Sequence, residues 1–260
     1  MHAIGIQLDI AWEDKPANFS KVRRLLDTAK PQPGSLIVLP EMFSTGFSMN
    51  VAGVREGQDR PAEKFLADLA RQLRCFVSGG VVNVGPDGKG LNQALVFSPE
   101  GQSLARYDKI HPFTLGDEGI HYTAGRQIAL FDWQAGGNLA KVAPFVCYDL
   151  RFPEIFRSAV RKGAQVMAVI ANWPARRAEH WVTLLKARAI ENLAYVIGVN
   201  RAGTDPKHTY PGRSMIVDPH GNVLADAGER EGVIQAEIDP AVVDSWRGEF
   251  PALKDMHWRD

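Results

Sequence analysis

Short continuous apolar runs constrain this chain most. SLIVLP (35–40) and QVMAVIAN (165–172) offer no polar face to water and are bounded by glycine, proline or polar residues. Runs of that length read as strands covered on both sides, which requires helices or a second sheet above and below. The N-terminal segment instead alternates: Ile4, Ile6, Leu8 and Ile10 fall on one face and Ala3, Gly5, Gln7 and Asp9 on the other. That is a strand period of two.

Helical periods lie between the strands. Phe19, Val22, Leu26 and Ala29 follow Pro16, a residue suited to a first helical turn. Phe65, Leu69 and Leu73 follow Pro61 in the same way. Residues 153–162 form a further helix closed by Gly163, and 179–194 another with Val182, Leu185, Ala189 and Leu193 on one face. Strands are expected at 75–84, 92–99, 103–110, 128–133, 140–147, 195–200, 213–218 and 233–239. The alternation predicts an α/β protein, a mixed sheet with helices on its faces. With no linker or low-complexity stretch, residues 1–260 read as one domain with a C-terminal tail from about 250.

Thirty basic and 30 acidic side chains balance, which argues against nucleic acid or an anionic membrane as partner. Basic pairs such as Arg176–Arg177 read as solvated surface. No apolar run reaches the ~20 residues of a membrane-spanning helix, and the N-terminus is unlike a secretory signal. Two distant cysteines, Cys75 and Cys147, suggest a reduced, cytoplasmic chain. Close-spaced metal ligands are not apparent, so no metal is expected.

Three reactive side chains stand at expected strand ends, where α/β sheets open their crevices: Glu41 after LIVLP, Lys109 after SLARYD and Cys147 after KVAPFV. Cys147 also precedes a helix, whose N-terminus is expected to expose the sulfur and favour the thiolate. Taken singly, each has a plain structural reading. Cys75, beside Phe76 and Val77, keeps its reading as a small buried hydrophobe.

The flanking residues alter that balance. LPEMF, YDKIHPF and VCYDLRFPE, in that order, resemble the three signatures of the nitrilase superfamily of carbon–nitrogen hydrolases. HYTAG, ANW, HW, LLKARAIENLAYVIGVNRAG and SMIVDPHG match as well, so the likeness runs from GIQLDI to VIQAEIDP. The resemblance implies a four-layer αββα sandwich, homodimers paired across helices beside the active site, and no cofactor. It places Glu41, Lys109 and Cys147 in the family's catalytic positions. Elementary chemistry agrees: a thiol of pKa about 8.5 needs a base or a positive neighbour near neutrality. Glu41 would take and return the proton, and Lys109, with the Tyr148 N–H, would face the oxyanion. Glu118 looks like the family's second glutamate, with a loop carboxylate as its plain reading. His111 and His180 read as structural, because Glu41 already occupies the base position. Glu191 reads as a partner of Arg188.

Trp173 and Phe43 are expected to wall the pocket. Arg151 is expected either to bind a substrate carboxylate or to pair with Asp149, Glu154 or another acid. The words LPEMFSTGFSM, YDKIHPF, CYDLRFPE and ANWPA most resemble the bacterial omega-amidase branch. That branch implies 2-oxoglutaramate or 2-oxosuccinamate as the small-molecule amide substrate, with water as second reactant. Deaminated-glutathione amidases share the frame. A noncatalytic scaffold would have lost one of the three residues, a redox sensor would need a resolving cysteine, and a nucleotide enzyme would need a glycine-rich phosphate loop.

Overall fold

A computed structural model describes residues 1–256. Its strands are β1 (His2–Gln7), β2 (Leu36–Val38), β3 (Phe76–Val84), β4 (Gly90–Phe97), β5 (Ser103–Asp108), β6 (Phe131–Ala135), β7 (Asn138–Val146), β8 (Val166–Ala171), β9 (Tyr195–Asn200), β10 (Ala202–Thr204), β11 (Thr209–Pro211), β12 (Met215–Val217), β13 (Val223–Asp226) and β14 (Gly232–Glu237). The helices are α1 (Lys15–Ala29), α2 (Val51–Val54), α3 (Pro61–Leu73), α4 (Glu118–His121), α5 (Pro153–Arg161), α6 (Ala178–Asn192) and α7 (Pro240–Glu249).

Among the described residues the strands form two six-stranded sheets, ordered β14-β1-β2-β3-β4-β5 and β13-β12-β9-β8-β7-β6, and a β10–β11 hairpin. The first sheet turns Ile4, Ile6, Ile37, Val77 and Leu95 toward Val22 and Leu26 of α1 and Phe65, Leu66 and Leu69 of α3. Its other face presents Ala3, Leu36, Val38, Ala94 and Val96 to the second sheet, whose outer side carries Phe156 of α5 and Leu185 and Ala189 of α6. The order is therefore helix, sheet, sheet, helix, the expected αββα sandwich. Both central layers are covered on each face, so the strands between them carry unbroken apolar runs. The small face of β1 matters here: a Cβ on Gly5 would lie 2.9 Å from Val199 of the opposite sheet.

Three expectations are revised. The strands expected at 128–133 and 140–147 form a hairpin, 131–135 and 138–146, turning at Gly136–Gly137 with φ of 58° and 81°. A helix at 240–249 went unassigned. Its cue was present in Asp239 followed by Pro240: the Asp239 carboxylate caps the Ala241 N–H at 3.0 Å. In the expected tail, 252–255 make a single 3-10 turn, and residues 257–260 lie outside the described residues.

Candidate active site

Strand direction brings the reactive groups to one end. β1, β2 and β3 are parallel, and two antiparallel steps return β5 to the same direction, so Glu41 and Lys109 leave the first sheet together. β7, β8 and β9 are parallel in the second sheet and end at Cys147, Asn172 and Asn200. The two sheets meet there, where the Asn172 N–H donates to Glu41 Oε2 at 2.8 Å. Gly80 makes room for the Glu41 turn: a Cβ on it would sit 2.4 Å from Met42 N and 2.5 Å from Glu41 Cα.

Glu41, Lys109 and Glu118 are all buried. Lys109 Nζ donates to Glu41 Oε1 at 3.0 Å and to Glu118 Oε2 at 2.8 Å. Glu118 is thus no loop carboxylate facing solvent; it is the second anion on the same ammonium. Asn92 Nδ2 reaches both acids, Glu41 Oε1 at 2.7 Å and Glu118 Oε1 at 2.8 Å. The Phe113 N–H adds 2.6 Å to Glu118 Oε2. Burial alone would pull the Lys109 ammonium down, but Glu118 and Glu41 hold it well above the usual lysine value. Burial and the neighbouring Glu41 charge push Glu118 up, against the pull of Lys109.

Cys147 opens a 3-10 turn, Cys147–Arg151, in the left-handed region at φ 50°, a conformation costly for a residue with a Cβ. Asp149 holds that turn from below. Its Oδ2 accepts from Val146 N at 3.1 Å and Tyr107 OH at 2.8 Å, and its Oδ1 accepts from His111 N at 3.0 Å. His111 Nδ1 also lies 2.9 Å from Oδ1, a structural role as expected for this histidine. The thiol differs from expectation: Cys147 is buried at 8% exposure, and this turn separates it from α5. Burial first, then Glu41 and Glu118, push the thiol well above its usual value, with Lys109 opposing. Desolvation and the two carboxylates therefore oppose ionisation of the sulfur, and Lys109 favours it.

Cys147 lines a cavity of about 430 Å³ together with Tyr148, Arg151 and Trp173, whereas Glu41, Lys109 and Glu118 do not. Arg151 takes neither of its expected acids. Its guanidinium lies 5.0 Å over the Trp173 ring and 2.9 Å from His180 Nδ1. Phe43 is a correction. The left-handed Met42 (φ 45°) breaks the period of two, and Phe43 turns into the helix-side core, 5.8 Å from Phe65 and 6.0 Å from Phe19. Phe47 lines the cavity instead. Of the pair Arg176–Arg177, Arg176 is exposed as expected, while Arg177 is a second correction: it is partly buried, and both line the cavity. Asn92, Tyr107 and Asn200 were missed, since isolated polar residues on strands carry no pattern, and Asp149, expected only as a possible partner of Arg151, instead holds the Cys147 turn. The Asn200 carboxamide fixes the wall, accepting from Trp173 N at 2.7 Å and donating to Trp173 O at 3.0 Å. No group of three His, Cys, Asp or Glu among the described residues could hold a metal ion. The arrangement can supply a nucleophile, a proton acceptor and a fixed positive charge in a site largely closed to water.

Comparison with known proteins agrees with this geometry. Residues 5–248 match the carbon-nitrogen hydrolase family model. An omega-amidase of Yersinia enterocolitica is 38% identical over 256 residues, covering 96% of this chain and 94% of that protein. The 2-oxoglutaramate amidase of Bacillus subtilis is 33% identical, covering 96% and 95%. A deaminated glutathione amidase of Synechocystis is 36% identical, covering 91% of each. In structure, a CN-hydrolase superfamily protein of Xanthomonas campestris, solved with an arsenic adduct in its active site, superposes with a TM-score of 0.91 at 32% identity, covering 100% and 98%. The chain belongs to the carbon–nitrogen hydrolase family and is a hydrolase acting on amides.

Proposed function

We propose that the protein hydrolyses the terminal amide of a short 2-oxo acid amide, 2-oxoglutaramate or 2-oxosuccinamate, through a thioester on Cys147. The observation that carries the chemistry is the buried Glu41–Lys109–Glu118 cluster at the edge where the buried Cys147 follows its strand. Cys147 Sγ attacks the amide carbon as its proton passes to Glu41, and the oxyanion forms against Lys109 and the Tyr148 N–H. Glu41 hands that proton to the nitrogen, the C–N bond breaks, and ammonia leaves. Water then gives a proton to Glu41 and attacks the thioester; the C–S bond breaks, Glu41 returns that proton to the sulfur, and the product leaves as the carboxylic acid and loses its remaining proton to solvent. A neutral thiol beside a carboxylate suits this sequence, because the proton moves only as the new bond forms. Asn92 and Glu118 hold Glu41 and Lys109 in place.

The names of two relatives support the short oxo-acid amide. The Synechocystis relative supports a second reading, deaminated glutathione. Ammonia release from 2-oxoglutaramate, 2-oxosuccinamate, deaminated glutathione and a simple nitrile separates the two. Preference for the short acids supports the first reading and preference for deaminated glutathione the second. Cys147→Ala is expected to abolish ammonia release while leaving the thermal melt intact; turnover by that variant would overturn the mechanism. Glu41→Gln is expected to slow thioester formation at least 100-fold in single-turnover assays, and an undiminished acylation rate would remove Glu41 as the base.

A further inference from the structure

Three arginines, Arg151, Arg176 and Arg177, line the cavity that Cys147 opens into. None of them forms an ion pair with a carboxylate among the described residues. Other arginines of this protein do find acids, as Arg213 does with Asp226 at 2.7 Å and Arg188 with Glu191 at 2.8 Å. Glu13, Asp117 and Asp205 line the same cavity, but none of them lies within ion-pair distance of the three arginines. Clustered cations that no carboxylate contacts repel one another and gain when an anion enters between them.

The three are not equivalent. Arg151 is engaged with His180 and stacked on Trp173, and Arg176 is exposed. Arg177 is partly buried, with its guanidinium carbon 5.1 Å from the centre of the Phe113 ring, and its side-chain N–H groups make no hydrogen bond among the described residues. Its backbone is anchored, because Trp173 Nε1 donates to Arg177 O at 2.8 Å. Burial, then the charges of Arg176 and Arg151, lower its pKa, and it shares the cavity lining with Cys147 and Tyr148.

We infer that Arg177 is the specificity residue of this site, its guanidinium fork gripping the carboxylate end of the substrate while Arg151 and Arg176 supply the surrounding positive field. This rests on the amidase reading above and goes beyond it by assigning the anion to one side chain. A planar fork suits a carboxylate flanked by a 2-oxo group, because two parallel N–H bonds can meet two coplanar oxygens. The site therefore selects amides with an acid at the far end over neutral amides of the same length.

The test measures kcat/KM for 2-oxoglutaramate and for a neutral straight-chain amide of equal length, in the wild type and in Arg177→Gln. Taking the ratio of the two cancels any loss of folded enzyme. The wild type is expected to favour the acidic amide, and Arg177→Gln to lower the ratio roughly 10- to 100-fold, mostly through KM, with partial recovery in Arg177→Lys. A wild type that favours the acidic amide and an Arg177→Gln variant with the same ratio would overturn the assignment and leave the amidase reading standing. A wild type with no preference would overturn the oxo-acid reading, and the assignment with it.

Discussion

Asn92 shows how much of the site depends on one neutral side chain. Its amide nitrogen donates to Glu41 and Glu118 at once, so it spaces two acids that would otherwise repel across a buried gap. Asn92→Ala is expected to lower kcat about 10- to 100-fold with a small change in KM, from the loss of hydrogen bonds to charged groups worth about 1.5–3 kcal/mol each. Steady-state kinetics checks this, and a loss confined to KM would contradict it. Lys109→Met leaves two buried carboxylates without their cation and is expected to cost about 3–5 kcal/mol in denaturant unfolding. The Cys147 thiol carries a pH signature. Burial and the two acids oppose its ionisation, so removing the Glu41 charge in Glu41→Gln is expected to move the thiolate titration to lower pH. Thiolate absorbance corrected against Cys147→Ala reads the midpoint, and an unmoved midpoint would exclude Glu41 as a cause.

Elements were legible where their period was long and their caps explicit. The helix starting near Pro16 appears as α1, capped by Asp14, whose Oδ1 accepts the Ala17 N–H at 3.0 Å. On α6 the expected Leu185 and Ala189 are buried, but so are Trp181, Arg188 and Asn192. Arg188 tolerates burial because both Nη groups are used, Nη2 on Leu150 O at 2.7 Å and Nη1 on Glu191, although its Nε has no partner among the described residues. Hydropathy period cannot register a polar residue buried for its hydrogen bonds. β10 and β11, three residues each, are too short to show any period. Gly80 belongs to this scale, because it sets the distance between β3 and the Glu41 turn. Gly80→Ala is expected to cost about 1–3 kcal/mol and to lower kcat as Glu41 shifts. Thermal melts and single-turnover rates report both effects, and an unchanged kcat would mean the turn does not set Glu41.

Across the whole molecule, alkaline stability should depend on Cys75. Burial lifts its thiol from 9.0 to about 11, so below pH 9 the thiol is neutral whether folded or unfolded. Between pH 9 and 11 the unfolded chain loses the proton and the folded chain keeps it, so stability falls as pH rises, by on the order of 3 kcal/mol. Cys75→Ala is expected to flatten that part of the stability–pH curve. A drop of the same size in the variant would place its origin elsewhere.

Sequence alone determined the α/β class and pointed to three principal reactive groups, because strand and helix periods repeat within a few residues and each of those groups lies just beyond a strand, while the four-layer order came from the family resemblance. Tertiary structure decided what those groups meet. Glu41 and Asn172 lie 131 residues apart and share a hydrogen bond only because two sheets end at the same edge. The left-handed turn at Met42 sent Phe43 into the core, and the path after β8 brought Arg177 to the cavity rather than to open solvent. The ionisation of Cys147 was decided the same way. A side chain's direction beyond a strand end follows the dihedrals of the next few residues, and its proton affinity follows charges and burial supplied by distant segments. Neither is written in local periodicity.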